Sequence, residues 1–197
     1  MMIRKTALAL ILATTFAAPA FAQSNAATDT QRDVNQQQRI EQGLKSGQLN
    51  TKEAGQLERQ QQQIDRVEAR DLKDGSINAK EQARLNTLQN HASEQIKDDK
   101  HNAIKGNPES ASSERLQNDV QRNVNQQQRI EQGVKSGELA PRETGKLEHG
   151  QAHDSRLEAR AAADGHVGAR EQARIARSET VQSERIHAKK HNRRERN

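Results

Sequence analysis

The chain has 197 residues, with 32 Lys and Arg against 27 Asp and Glu, a formal net charge of +5 and a pI near 9.7. Cys, Trp and Tyr are absent, and only 2 Phe and 2 Met occur. That composition excludes disulfides, thiolate metal sites and thiol catalysis, and it leaves no aromatic platform for stacking nucleic-acid bases.

Residues 1–22 have the pattern of an export signal. Arg4 and Lys5 precede an apolar stretch from Thr6 to Ala18, and "APAFA" then places small residues at Ala20 and Ala22. Cleavage is expected near Ala22, with delivery to a periplasm or secretion. The apolar stretch is too short for a spanning helix. Phe16, Phe21 and both Met residues lie inside this segment. The 175 residues that follow hold 25 Leu, Ile and Val, about 14%, and no aromatic side chain other than His. At that apolar content disorder competes with folding, so the expected fold is helical with a thin core, marginal alone or completed by a partner. Net charge is −1 over residues 23–112 and +4 over 113–197.

Beyond the leader the chain is a tandem duplication. "RDVNQQQRIEQGLKSG" at 32–47 returns as "RNVNQQQRIEQGVKSG" at 122–137, and residues 32–102 align without a gap on 122–192, with 37 identities in 71 positions. Both stretches end in "KHN". The spacing of Leu57, Ile64, Val67 and Leu72, and of Leu85, Leu88, Ala92 and Ile96, gives single-sided helical stripes. Val34, Ile40 and Leu44 make a weaker stripe before them. Each copy therefore reads as three helices, near 30–45, 51–72 and 79–103 in the first, with no sheet. The expected division is a module over 23–104, a flexible Gly/Pro/Ser-containing linker over 105–115, a second module over 116–190 and a basic tail over 191–197. The Gln runs "NQQQ" and "RQQQQ" suit solvated helix faces.

The turns between these helices share one design. Gly47, Gly75, Gly137 and Gly165 are each followed two residues on by an apolar residue (Leu49, Ile77, Leu139, Val167) and, four residues after that, by Glu53, Glu81, Glu143 or Glu171. A helix, a twelve-residue loop with central Gly, an aliphatic residue and a closing Glu resemble an EF-hand. The chain is also similar to small exported bacterial proteins with tandem Gln/Arg-rich helical repeats. The resemblance implies an all-α fold of two homologous modules, each pairing two EF-hand-like helix-turn-helix units through a short two-strand contact, and a calcium loop using Asp74 and Glu81 and, in the second copy, Asp164 and Glu171.

Calcium takes six to eight oxygens, mostly from carboxylates early in such a loop. These loops begin with Gln42, Arg70, Gln132 and Arg160, and their third positions are Leu44, Leu72, Val134 and Ala162. Helix capping accounts for the same residues without metal. Asn50 with Glu53 and Asn78 with Glu81 have capping-box spacing, Pro141 falls at a first helical position with Glu143 two residues on, and Gly168 with Glu171 is the weakest version. No tight calcium site is expected.

Two further sites are candidates. His149 with His153 and His187 with His191 are each four apart, a spacing that sets both imidazoles on one helix face and suits zinc, copper or nickel if the helices meet. Lys189, Lys190, Arg193, Arg194 and Arg196 form a basic end able to meet a polyanion or an anionic envelope surface. Catalysis is not expected: no triad context and no phosphate loop occurs, and carboxylates in "EARD" and "LEAR" sit beside Arg as in surface ion pairs. The sequence thus points to a non-enzymatic exported protein with an interaction, stress-protection or ion-buffering role toward an envelope partner, without an obligate cofactor. Its alternatives are a weak divalent-metal binder and a polyanion binder.

Overall fold

A computed structural model describes residues 19–192, with side chains placed from Asn25 onward. Residues 1–18 of the expected leader over 1–22, and Arg193, Arg194 and Arg196 of the basic end, lie outside the described residues, while residues 19–22 begin the first helix. The described chain is all-helical, without a strand: α1 (Pro19–Lys45), α2 (Thr51–Asp71), α3 (Ala79–His101), α4 (Ala111–Ser136), α5 (Pro141–Ala161) and α6 (Ala169–Lys190). No described helix is long and apolar enough to cross a membrane.

Helix boundaries follow the capping chemistry. Asn50 Oδ1 accepts from Glu53 N (2.9 Å) while Asn50 N donates to Glu53 Oε2 (3.0 Å). Asn78 and Glu81 repeat the exchange at 3.1 and 2.9 Å. In the second copy only one half survives, because Ala140 and Gly168 have no side-chain acceptor; their N–H groups donate to Glu143 Oε2 (3.3 Å) and Glu171 Oε2 (2.8 Å). All four turn glycines have positive φ, from 68° at Gly47 to 101° at Gly75, a region that side chains other than glycine's rarely adopt. The two-strand contact of a paired EF-hand is not formed among the described residues. Leu49 N donates instead to Gly43 O within its own turn, and Leu139 N to Gly133 O, both at 2.9 Å. The shared "KHN" has a structural reason: Asn102 Nδ2 donates to Glu53 Oε1 (2.8 Å) and Asn192 Nδ2 to Glu143 Oε1 (2.6 Å), tying the end of each third helix to the start of the second.

The two copies pair with near-twofold symmetry. Lys45 Nζ donates to Gln121 Oε1 (3.0 Å), and Lys135 Nζ, ninety residues on, donates to Gln31 Oε1 (2.8 Å), so α1 and α4 run antiparallel. The α2–α5 pair has the most extensive contact in the molecule and is likewise antiparallel. A methyl at Gly55 would fall 2.6 Å from Ala162 Cβ, and one at Gly145 would fall 2.9 Å from Leu72 Cβ. Those glycines let the helix backbones approach closely at both ends. Helix α3 packs on α1 and α2, and α6 on α4 and α5.

Each apolar cluster consequently draws on both copies. One joins Ile40, Leu44, Leu57 and Ile96 to Leu116, Val120 and Leu157; the other joins Ile64, Leu72 and Leu85 to Ile130, Leu147 and Ile186. Full burial of one such side chain contributes about 1.5–3 kcal/mol. The joint between copies is also engaged: Gly106 N donates to Gly47 O (2.9 Å), and residues 111–115 of the expected linker form the start of α4 under a Ser110 cap.

Candidate functional site: a buried carboxylate layer

On α2 the buried Glu58 and Gln61 fall between Leu57 of one apolar cluster and Ile64 of the other, followed by buried Asp65 and Glu68. On α5 the sequence of burial is Glu148, Gln151, Asp154, Ser155 and Glu158. Asp33 on α1 and Glu179 on α6 complete a polar layer inside the molecule, each no more than 1% exposed.

Glutamines supply most of its donors. Gln36 Nε2 donates to Gln89 O (2.8 Å) and Ser93 Oγ (3.0 Å), and Gln126 Nε2 makes the matching pair with Glu179 O (2.8 Å) and Ser183 Oγ (3.0 Å). Gln37 reaches Glu58 Oε2 and Gln127 reaches Glu148 Oε2, both at 3.1 Å. The Gln runs are thus only partly solvated, contrary to the expectation of exposed faces. Their long amides bridge neighbouring helices, satisfying groups that alanine or leucine would leave unpaired.

The carboxylates are under-compensated. Asp65, Glu68 and Glu148 bring ligand oxygens within 4.8 Å of one another, and theirs is the only such set of three or more His, Asp or Glu groups among the described residues. Asp33 adjoins them: Gln89 Nε2 donates both to Asp33 Oδ1 (2.9 Å) and to Glu68 Oε1 (3.3 Å). One oxygen of each carboxylate, Asp33 Oδ2, Asp65 Oδ2, Glu68 Oε2 and Glu148 Oε1, is buried without a hydrogen-bond partner. An unpaired buried carboxylate is costly, and such a group lowers the cost by taking a proton or a cation.

Electrostatics follow from that burial. Burial, followed by repulsion from Asp33, pushes Glu148 up to about 8. Burial raises Asp33 to about 7, against the lowering effect of the adjoining Glu68 and Gln89. Asp65 and Glu68 are raised well above the ordinary carboxylate range by burial and then by neighbouring carboxylates. Burial likewise raises Glu58 to about 7 and Glu179 to about 8, and Glu158 well above its ordinary value. Of the "EARD" and "LEAR" carboxylates, Asp71 pairs with the exposed Arg70 and Arg84, whereas Glu68 and Glu158 are buried, with Gln89 and Asn123 as hydrogen-bond donors. Their pattern signal was present, since Glu58, Gln61, Asp65 and Glu68 share the stripe of Leu57, Ile64 and Leu72.

The other candidates sit elsewhere. Asp74 Oδ1 accepts from Ser76 N (3.0 Å) and Asp164 Oδ1 from His166 N (2.8 Å), while Glu81 and Glu171 cap their helices. Each of those four carboxylates is thus engaged by its own turn, and the early loop positions lack the oxygens calcium needs, so the residues do not fit an EF-hand ion. His187 and His191 stack at 4.2 Å, and the two histidine pairs are not gathered into a set of three or more ligands. His153 is lowered by partial burial and then by Arg156, Arg174, His149 and Arg185, surroundings that repel a cation. Lys189 Nζ lies 3.7 Å from Glu143 Oε1 and Lys190 Nζ 3.3 Å from Glu138 Oε2, so the two described lysines of the basic end turn back onto the start of α5 and the turn before it. In comparisons with protein-family models, curated proteins and solved structures, the chain matches none.

Proposed function

We propose that the protein is a non-enzymatic, exported ion-buffering protein of the cell envelope that takes up a divalent cation at Asp65, Glu68 and Glu148, with Asp33 beside them. The observation that carries this reading is the convergence of the three buried carboxylates within 4.8 Å, together with their unpartnered oxygens. An all-oxygen donor set suits a hard cation such as calcium, magnesium or manganese rather than a thiophilic metal. Without the cation, protons hold the same carboxyl groups neutral, so uptake exchanges protons for metal and strengthens as pH rises. The degenerate EF-hand-like turns, two per homologous module, act here as capped corners rather than as ion loops. Export rests on the Arg4–Lys5 start, the apolar stretch and the "APAFA" segment.

Equilibrium dialysis against calcium, magnesium and manganese at pH 8 and pH 5 tests the reading. Uptake is expected at pH 8, at micromolar or weaker affinity, and is lost at pH 5. Absence of uptake of all three ions at pH 8 contradicts it.

A further inference from the structure

The helices that bury carboxylates on their inner side carry arginines on the outer side. A groove runs along the outer side of α2 in three adjoining hollows of about 520, 540 and 330 Å³; the first and third lie on the seam with α5, and α2 alone lines the second. The first two share Arg66 and Arg70, and the second and third share Arg59 and Arg66, so the groove is continuous. Lys73, Arg142 and Lys146 line one end and Arg156 and Arg160 the other, and no acidic residue lines any of the three. Arg59, Arg66, Lys73, Lys146 and Arg160 are exposed, and none forms an ion pair among the described residues.

The cations are regularly placed. Arg59 and Arg66 on α2 and Lys73 in the turn just past its end recur every seven residues, a step of about 10.5 Å along a helix, and the groove extends for about 30 Å. The antiparallel pairing sets Arg156 and Arg160 of α5 opposite the Arg59 end and Arg142 and Lys146 opposite the Lys73 end. Positive charge therefore lines both rims at the two ends of the groove, and Arg59, Arg66 and Arg70 of α2 carry it through the middle. Guanidinium forks match the oxygens of a phosphate group in pairs, which a point-charge ammonium does not.

We infer that this groove is a docking surface for a linear phosphate polymer that runs along the α2–α5 seam. Its features select that class over others. A concave channel with unpaired cations on both rims fits a chain rather than a flat membrane, and no exposed large hydrophobic residue lines it to insert among lipids. Nucleic-acid bases have no Phe, Tyr or Trp here on which to stack and meet a single ring, His149, at one end, so a base-free phosphate chain meets the surface with little loss. The inference is independent of cation uptake inside the molecule, because the groove residues lie on the opposite side of the same helices.

Binding of fluorescently labelled inorganic polyphosphate, followed by anisotropy between 50 and 200 mM salt, tests it. Wild-type protein is expected to bind, with affinity falling by on the order of 100-fold or more over that range as counterions are released. The Arg59→Gln/Arg66→Gln/Arg160→Gln variant is expected to lose at least tenfold, whereas Lys80→Gln/Arg170→Gln/Arg177→Gln, which removes equal charge from other surfaces, stays within threefold. Circular dichroism confirms that both variants keep wild-type helicity. Failure of wild-type protein to bind at 50 mM salt, or equal losses in the two variants, overturns the inference. So does stronger binding to anionic phospholipid vesicles than to polyphosphate.

Discussion

Two carboxylate sets occupy equivalent places in the two halves of the layer, and they have diverged in charge. Around Glu68 and Glu148 stand Asp33 and Asp65; ninety residues on, around Glu158 and Glu58, stand Asn123 and Ser155. Asn123 Nδ2 donates to both oxygens of Glu158, at 2.9 and 2.8 Å, and Arg122 meets Glu179 at 3.1 Å where the first set has the neutral Gln89. The second set thus has an asparagine and an arginine as donors for Glu158 and Glu179, while the donors to the first set are glutamine amides. Duplication kept the frame, and Asn123 and Ser155 in place of Asp33 and Asp65 give the second set side-chain donors, although Glu58 Oε1, Asp154 Oδ2 and Glu179 Oε1 stay buried without a partner there too.

The largest expected effect is on the pH dependence of stability. Asp33, Glu58, Glu148 and Glu179 are raised to about 7 or 8 in the folded state, above their values in an unfolded chain near 4. The folded state then binds more protons than the unfolded one, so their contribution is fully present below pH 4 and lost as pH rises through 7 to 8. Thermal unfolding followed by circular dichroism is expected to show a Tm lower at pH 8 than at pH 5 by on the order of 10 °C. A Tm that rises across that interval contradicts the burial account.

Converting the first set into the second sharpens the comparison. Asp33→Asn/Asp65→Ser removes two buried charges without enlarging a side chain, and is expected to raise stability at pH 8 by about 2 kcal/mol. Urea unfolding at pH 8 and pH 5 checks this, with a smaller gain at pH 5, where the carboxyls are already protonated. The reverse exchange, Asn123→Asp/Ser155→Asp, is expected to destabilise at pH 8 by a similar amount and to be partly rescued by millimolar manganese. Rescue absent in this variant breaks the claim that the frame itself is competent to hold a cation.

The smallest effect concerns the caps, where the copies also differ. Asn50 and Asn78 supply side-chain acceptors that Ala140 and Gly168 lack. Asn50→Ala is expected to cost about 1 kcal/mol, and Gly168→Asn to gain a few tenths, by urea unfolding at pH 5.

Much of the fold was legible because it is local. The Gly turns, the capping boxes and the starts of α2 and α3 follow from residues within one helical turn of each other, and the observed α2 and α3 start where Asn50 and Asn78 predict. The layer was not legible, for two reasons. Its polar members share a stripe with apolar ones, so Glu58 beside Leu57, or Asp65 beside Ile64, reads as the edge of a helix face. Its burial also depends on α5 covering α2 across the duplication, a pairing that joins residues about ninety apart and leaves no local trace. Glu68 beside Arg70 resembles a surface pair until Glu148 is brought in from the other copy. The Gln runs misled in the same way, since helix propensity does not distinguish a solvated amide from one that bridges Gln36 to Gln89 and Ser93.

The central claim is that a divalent cation is held by the carboxylate layer and not by the turns. Calorimetric titration with manganese at pH 8 compares wild-type protein with two variants, Asp33→Asn/Asp65→Ser in the layer and Asp74→Asn/Asp164→Asn in the turns. The account predicts that the turn variant binds as wild type does and that the layer variant loses the binding heat. Retained binding in the layer variant, or its loss in the turn variant, contradicts it.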